Sequence, residues 1–396
     1  MFEKLETLPP DPILGLSVAF REDPSSDKVD LSVGVYKDRG GVTPVMSAVQ
    51  EAERALIDAQ STKVYLPPAG APGFREAIFS LVLGDAAATL RARAGVIQAP
   101  GGCGALRLGA ELINRAMPAA TIHLSDPSWP NHAPLLTGGG LRVERYPYYD
   151  SAGHRLTLQP MLDALSVAAP GSLVLLQASC HNPTGVDPDR EQWRAILDVA
   201  AERRLVPFFD IAYQGLGDDL DTDAWIIRES ARRLPEMLVA VSCSKNFGLY
   251  RERTGALLFV GTDIAHAKAV ESQANKAARS MYSMPPGHGR LIVERVLGDA
   301  MRRARWQAEL AVMAGRLRSL RAALAQGMAE ARPGVDTSWL VRQRGMFSLL
   351  GLRPEAVRSL REEHHIYMGL DSRVNIAGLS EDNVARVAQL VAPHLE

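Results

Sequence analysis

Only seven of the 44 basic residues are lysines, and one of them, Lys245, closely follows an apolar run, LVAV at 238–241. It lies in SCSKNFGLYRERTG (242–255), with Ser242 and Ser244 beside it and Arg251 and Arg253 a few positions on. Serine hydroxyls and a forked guanidinium are what a phosphate monoester needs. A lysine held near other cations and partly out of water loses proton affinity, so its free amine can attack a carbonyl. Lys4, Lys28, Lys37, Lys63, Lys268 and Lys276 fall in the N-terminal portion or on polar helical stretches and read as solvated.

Other apolar runs end in residues with chemistry of their own. In PGGCGALRLG, Gly101, Gly102 and Gly104 open a helix whose first N–H groups can cradle an anion. That loop, with Asp126 further on, also imitates a dinucleotide-binding unit, although Arg107 occupies the third glycine position of the fingerprint. SDPSWPNH sets Trp129 between two prolines, where a planar cofactor can stack on it or the ring can anchor the loop. His132 reads either as a neighbour of the site or as a surface residue. In QASCHNPTG, Asn182 is kept out of helix by the following proline, as a side chain aimed into a cleft or as a plain turn. DIAYQG supplies Asp210 and Tyr213. An aspartate ending a buried strand needs a cation, such as a protonated pyridine nitrogen, or serves as a helix cap. Anion loop, stacking ring, acid for a ring nitrogen and phosphate-flanked lysine together describe pyridoxal phosphate.

The elements that must position them follow from the pattern. Apolar runs at 96–99, 121–124, 141–145, 173–176, 205–209, 238–241 and 256–260 alternate with amphipathic stretches. That alternation predicts a mostly parallel seven-stranded α/β sheet flanked by helices, with ligands beyond the carboxyl ends of the strands. After Pro286 one long helical stretch, 289–331, reads as a bridge to a smaller α+β domain with short strands at 347–350 and 373–376. The expected division is an N-terminal arm (1–10), a small domain (11–43 with 314–396) and a large cofactor-binding domain (44–313).

Bulk properties remove other classes. A net charge of −1 offers no field for nucleic acid or an acidic membrane. No run approaches the roughly 20 apolar residues of a membrane span, and the start, MFEKLETLPPDPILGL, does not read as a signal peptide. Cys103, Cys180 and Cys243 lack a CxxC pair, which argues against a disulfide framework or metal site and for a reducing, cytoplasmic setting.

SWPNH, HNPTG, FDIAYQG, SCSKNFGLYRERTG, YSMPPGHG and SRVNIAG, in that order, resemble the aspartate/aromatic aminotransferases of fold type I over nearly the whole chain. The resemblance implies a homodimer with shared active sites, acting on amino and keto acids. Lys245 would carry pyridoxal phosphate as a Schiff base and shuttle the proton. Asp210 would pair with the pyridine nitrogen, Asn182 and Tyr213 would bond the phenolic oxygen, and Trp129 would stack on the ring. Ser242, Ser244, Arg253 and the Gly102–Cys103 backbone would hold the phosphate, and Tyr65 would reach the phosphate of the neighbouring subunit. Arg373, helped by Gly34 and Asn182, would take the substrate α-carboxylate. Arg279 would cross to the other subunit and meet a distal carboxylate.

Some positions depart from the family pattern. Cys103 replaces the common threonine, YLPPAG lacks the usual glycine after Leu66, and Met281 and Met284 replace asparagines of aspartate-specific members. With Ile13 and Leu14 the methionines make an apolar, adaptable wall suited to aromatic side chains. The expected activity is transfer from phenylalanine, tyrosine and aspartate to 2-oxoglutarate by a ping-pong route. The alternatives are a strict aspartate aminotransferase, a nicotinamide-dependent oxidoreductase, a non-catalytic regulator, or a lyase of the same fold.

Overall fold

The computed structural model describes residues 1–7 and 12–395, without the side chains of residues 12–14. The expected wall residues Ile13 and Leu14, and residues 8–10 of the expected arm, therefore lie outside what is described. The chain divides into two compact units: Pro44–Arg316 with Gln343–Gly345, and Met1–Thr43 with Leu317–Arg342 and Met346–Glu396.

The larger unit is built on seven strands, β1 (Ala94–Pro100), β2 (Thr121–Asp126), β3 (Arg142–Pro147), β4 (Leu173–Gln177), β5 (Val206–Ile211), β6 (Met237–Ser242) and β7 (Thr254–Val260). Their order across the sheet is β1-β7-β6-β5-β4-β2-β3. Every residue of β4, β6 and β7 is buried, so these strands read as continuous apolar runs rather than alternating ones. The helix Gly101–Ala116 packs on this sheet through a face that includes Ala105, Leu108 and Leu112, spaced three to four apart.

Neighbouring strands run parallel except at β7, which is antiparallel to both β1 and β6. The carboxyl ends of the other six strands therefore open at one edge, where β7 begins. Thr254 pairs with Pro100, and Gly255 with Ser242. Arg253, one residue before β7, thus sits at the same edge as the residues that end β1 and β6.

The stretch 289–331, expected as one helix, is two: His288–Gly298 and Ala300–Ala331. Gly298 is a weak helix former, and Asp299 is extended at φ −114°, ψ 123°. Its carboxylate accepts the Arg302 N–H at 2.8 Å, which starts the second helix with a side-chain cap.

In the smaller unit, Val29–Asp30 pairs in parallel with Ile366–Tyr367, and Phe347–Leu349 pairs antiparallel with Arg373–Asn375. Asn375 Nδ2 donates to the carbonyls of Val33 (2.6 Å) and Val35 (2.8 Å), pinning the segment around Gly34 against that second pair. Among the described residues no helix is long and apolar enough to cross a membrane.

Candidate active site

A buried acid, Asp210, lies near the end of β5. Asp210 is 8% exposed, inside the strand rather than capping a helix, so the helix-cap alternative does not hold. His132 Nε2 lies 2.9 Å from its Oδ2, and Ser128 Oγ lies 2.8 Å from His132 Nδ1. His132 is fully buried, which corrects its reading as a possible surface residue. Its ring stands edge-on to Trp129, with centroids 5.2 Å apart. Serine, histidine and aspartate form a chain that fixes which way the free carboxylate oxygen faces.

One strand over, β6 leads into Lys245. The backbone there is clamped: Trp306, fully buried, stacks on Phe247 at 4.5 Å and donates its indole N–H to the Asn246 carbonyl at 2.7 Å. Gly248 N–H closes a turn on the Lys245 carbonyl, and Nζ stands 5.0 Å from the centroid of the Tyr250 ring.

Beside it the chain makes a cradle. Ser242 and Ser244 are both buried, and Arg253 Nη1 donates to Ser244 Oγ at 3.4 Å and to the Tyr250 carbonyl at 3.1 Å. Gly101 has φ +73°, and a Cβ on it would lie 2.7 Å from Arg253 Nη2. A Cβ on Gly102 would press on Ser242 at 3.2 Å. The helix that Gly101 opens has no side-chain cap, so its leading N–H groups are open to an anion. Cys103 is half-buried and faces the Asn131 amide at 3.9 Å. Two hydroxyls, a guanidinium and helix N–H groups around a space that side chains would fill suit a phosphate. With the amine and the buried acid nearby, the donor set fits pyridoxal phosphate.

Asn182 and Tyr213 are each 6% exposed. The Gln177 amide brackets the Asn182 backbone, accepting its N–H at 2.8 Å and donating to its carbonyl at 3.0 Å. His181, next door, bonds Ser125 and Thr184 through its two nitrogens. Burial, and then the adjacent His132, push its pKa down to about 3, so it stays neutral. Cys243 is no rival nucleophile, because burial lifts its thiol to about 12.

Not every expected residue joins this group. Tyr65 is 84% exposed, and Arg279 is exposed in the last turn of the helix Ile264–Tyr282, with Nη1 3.4 Å from Ser283 Oγ. Met281 is exposed, and Met284 is half-buried with Sδ accepting the Leu66 N–H at 3.3 Å. Gly34 and Arg373 belong to the smaller unit. There Arg373 is 6% exposed, lies 4.6 Å over the Phe347 ring and donates to the Ser32 carbonyl at 3.1 Å. A Cβ on Gly34 would come within 2.8 Å of the same ring, so glycine lets the segment close on Phe347.

Two acids, half-buried Asp187 and buried Asp223, escaped sequence reasoning. Burial raises Asp187 to about 6 and Asp223 to about 7, against the opposing pull of the backbone N–H groups that each carboxylate accepts. The unfolded chain releases these protons near pH 4 and the folded chain near 6 and 7. Their contribution to stability is therefore complete below pH 4 and is lost as pH rises through 6 and 7. We expect a urea-midpoint profile across that range to fall less steeply in Asp187→Asn and Asp223→Asn than in the parent; equal slopes would contradict the assignment.

The family model for aminotransferases of class I and II matches residues 26–391. The chain is 44% identical to an aromatic-amino-acid aminotransferase of Pseudomonas aeruginosa, over 99% of this chain and 98% of that protein. It is 40% identical to an aspartate aminotransferase of Escherichia coli, over 99% of both. A crystal structure of an aromatic-amino-acid aminotransferase from Burkholderia pseudomallei, covalently bound to pyridoxal phosphate, superposes with a TM-score of 0.97 at 41% identity, covering all of both chains.

Proposed function

The chain belongs to the class I and II aminotransferases, and from that membership we propose that it moves amino groups from phenylalanine, tyrosine and aspartate to 2-oxoglutarate. It is a pyridoxal-phosphate enzyme of fold type I, working by the family's ping-pong route. The observation that carries the reading is Asp210, a carboxylate buried inside β5 and held by His132, on the strand next to the one that leads into Lys245. Membership in this family, and the arginine at the third fingerprint position engaged with Glu111, speak against a nicotinamide enzyme.

When bound, the cofactor supplies an electron sink that weakens the substrate Cα–H bond. Lys245 Nζ would hold it covalently, and its amine would take the proton from substrate Cα and return it. Asp210 would keep a proton on the ring nitrogen, with His132 and Ser128 orienting Asp210. Asn182 and Tyr213 would bond the phenolic oxygen, and Trp129 would stack on the ring. Ser242, Ser244, Arg253 and the Gly102–Cys103 backbone would hold the phosphate. Arg373, propped by Phe347, would take the α-carboxylate with help from Gly34 and Asn182.

The proposed assembly is a homodimer in which each copy lends Tyr65 and Arg279 to the other. Support comes from their exposure and from the apolar side chains around them or at the chain start: Ile57 (76%), Val64 (70%), Phe2 (75%) and Leu5 (74%). Three cysteines that form no disulfide fit a cytoplasmic enzyme.

Dual specificity rests on a methionine-lined wall for rings and on Arg279 for a distal carboxylate. Donor assays with 2-oxoglutarate in wild type and Arg279→Ala separate the two. Since 2-oxoglutarate is itself dicarboxylic, phenylpyruvate replaces it as acceptor for the variant. Loss of a charge-assisted fork lowers aspartate kcat/KM by about a hundredfold or more, with phenylalanine kept within a fewfold. Aspartate turned over and phenylalanine ignored by the wild type would instead favour a strict aspartate aminotransferase.

A further inference from the structure

Asn182 and Tyr213 each sit on a turn that is tied to a carboxylate, half-buried Asp187 for the first and buried Asp223 for the second, and neither carboxylate has a part in the reaction above. Asp187 accepts the Cys180 N–H on Oδ2 at 2.7 Å and the His181 N–H on Oδ1 at 2.9 Å, the two residues just before Asn182. Cys180 has φ +57°, a conformation that costs a non-glycine residue energy and persists only where neighbours enforce it. Asp223 accepts the N–H groups of Gly215 (2.7 Å) and Gly217 (3.0 Å) on Oδ2 and that of Asp218 (3.0 Å) on Oδ1. Between the first two lies Leu216, whose own N–H closes a turn on the Tyr213 carbonyl at 2.8 Å.

The two acids also face each other's surroundings. Both line one cavity of about 220 Å³, together with Asp218 and Arg344. Arg344 pairs with Asp218 at 2.9 Å and gives its backbone N–H to the carbonyl of Gly185, three residues beyond Asn182, at 2.7 Å. Burying two carboxylates close together is unfavourable unless their oxygens are fully used. Here their four oxygens take five backbone N–H groups, all on the two turns in question.

We propose that Asp187 and Asp223 are positioning residues for amino transfer: as a pair behind the site, they aim Asn182 and Tyr213 at the cofactor's phenolic oxygen by holding both turns in place. They act only through Asn182 and Tyr213, and so depend on the roles proposed for those two side chains. An amide in place of either carboxylate turns an NH2 group against an N–H donor while keeping the volume, so the turn is released without a cavity.

The test uses purified holoenzyme and its apo form, with cofactor affinity and the visible spectrum read alongside activity. Asp187→Asn and Asp223→Asn each weaken pyridoxal phosphate binding by about ten- to a hundredfold. Each also moves the pH midpoint of the visible band in the direction seen in Asn182→Ala and Tyr213→Phe. In the Asn182→Ala background, Asp187→Asn adds less than about a threefold further loss, as expected for residues acting through one another. The same holds for Asp223→Asn in the Tyr213→Phe background.

Folded variants with parental affinity and midpoint overturn the proposal, as does an Asp187→Asn effect of equal size in both backgrounds. If Asn182→Ala and Tyr213→Phe themselves leave the spectrum unmoved, the reading of the site fails and the positioning roles fail with it. Should either asparagine variant not fold, wild-type amide exchange decides. Loading the cofactor must slow exchange of segments 179–182 and 213–218 together, and unchanged exchange there refutes the pair.

Discussion

Lys245→Ala is expected to lower transamination by about ten-thousandfold or more, because in the proposed site one side chain serves as both the covalent anchor and the proton carrier. Among the described residues, none of the groups near it can stand in for it. The neighbouring cations are guanidiniums, which do not give up a proton to become nucleophiles. The nearby thiol of Cys243 is buried and pushed up to about 12. The loop should survive the loss, since its shape is set by the Trp306–Phe247 stack and the bond to the Asn246 carbonyl rather than by the amine. The measurement is single-turnover conversion of phenylalanine and of aspartate, with the visible spectrum of the reconstituted protein. A variant that keeps the parental rate, or parental protein that shows no visible band when loaded, removes the basis of the assignment. Lys245→Arg should be as inactive as the alanine variant, which separates the need for an amine from the need for a charge.

Asp210→Asn is expected to lower kcat by about a hundred- to a thousandfold, with little change in stability. Asparagine keeps the volume and a partner for His132 Nε2, so what is removed is the negative charge beneath the proposed ring nitrogen. Asp210→Ala adds a second loss. It strands His132, fully buried, without its 2.9 Å partner, at a stability penalty of about 1–3 kcal/mol. Comparing the two variants therefore divides catalysis from folding: kcat falls in both, and the urea midpoint falls only in the alanine variant. Undiminished kcat in Asp210→Asn would mean that the acid is structural and that the ring nitrogen, if present, is held elsewhere.

Much of this architecture could be read directly from residue order. Each of the seven runs overlaps a strand, and in β4, β6 and β7 every position is buried because both faces of the sheet are covered there, whereas the edge strand β3 (RVERYP) is mostly exposed. The residues after the runs proved to be buried and polar because a parallel sheet gathers its carboxyl ends at one edge. The unbroken helix across 289–331 was misread because a 3.6-residue pattern continues through Gly298–Asp299, and only the extended Asp299 with its cap on Arg302 breaks it. His132 was left undecided for a different reason. Its partner lies 78 positions away, two places across the sheet, and nothing local to either residue announces the pair.

Residue order alone determined the kind of chemistry: a scarce amine after a buried strand, hydroxyls and an arginine fork for a phosphate, and an acid where burial demands a cation. It could do so because burial and charge are properties of single positions and their neighbours. Strand order was left to the tertiary structure. It placed Arg253 at the head of the one antiparallel strand beside Gly101, and brought His132 under Asp210. It also set Asp187 and Asp223 behind the turns of Asn182 and Tyr213. Those relations depend on which strands lie side by side, and that is decided by packing the whole sheet at once rather than by any stretch of chain.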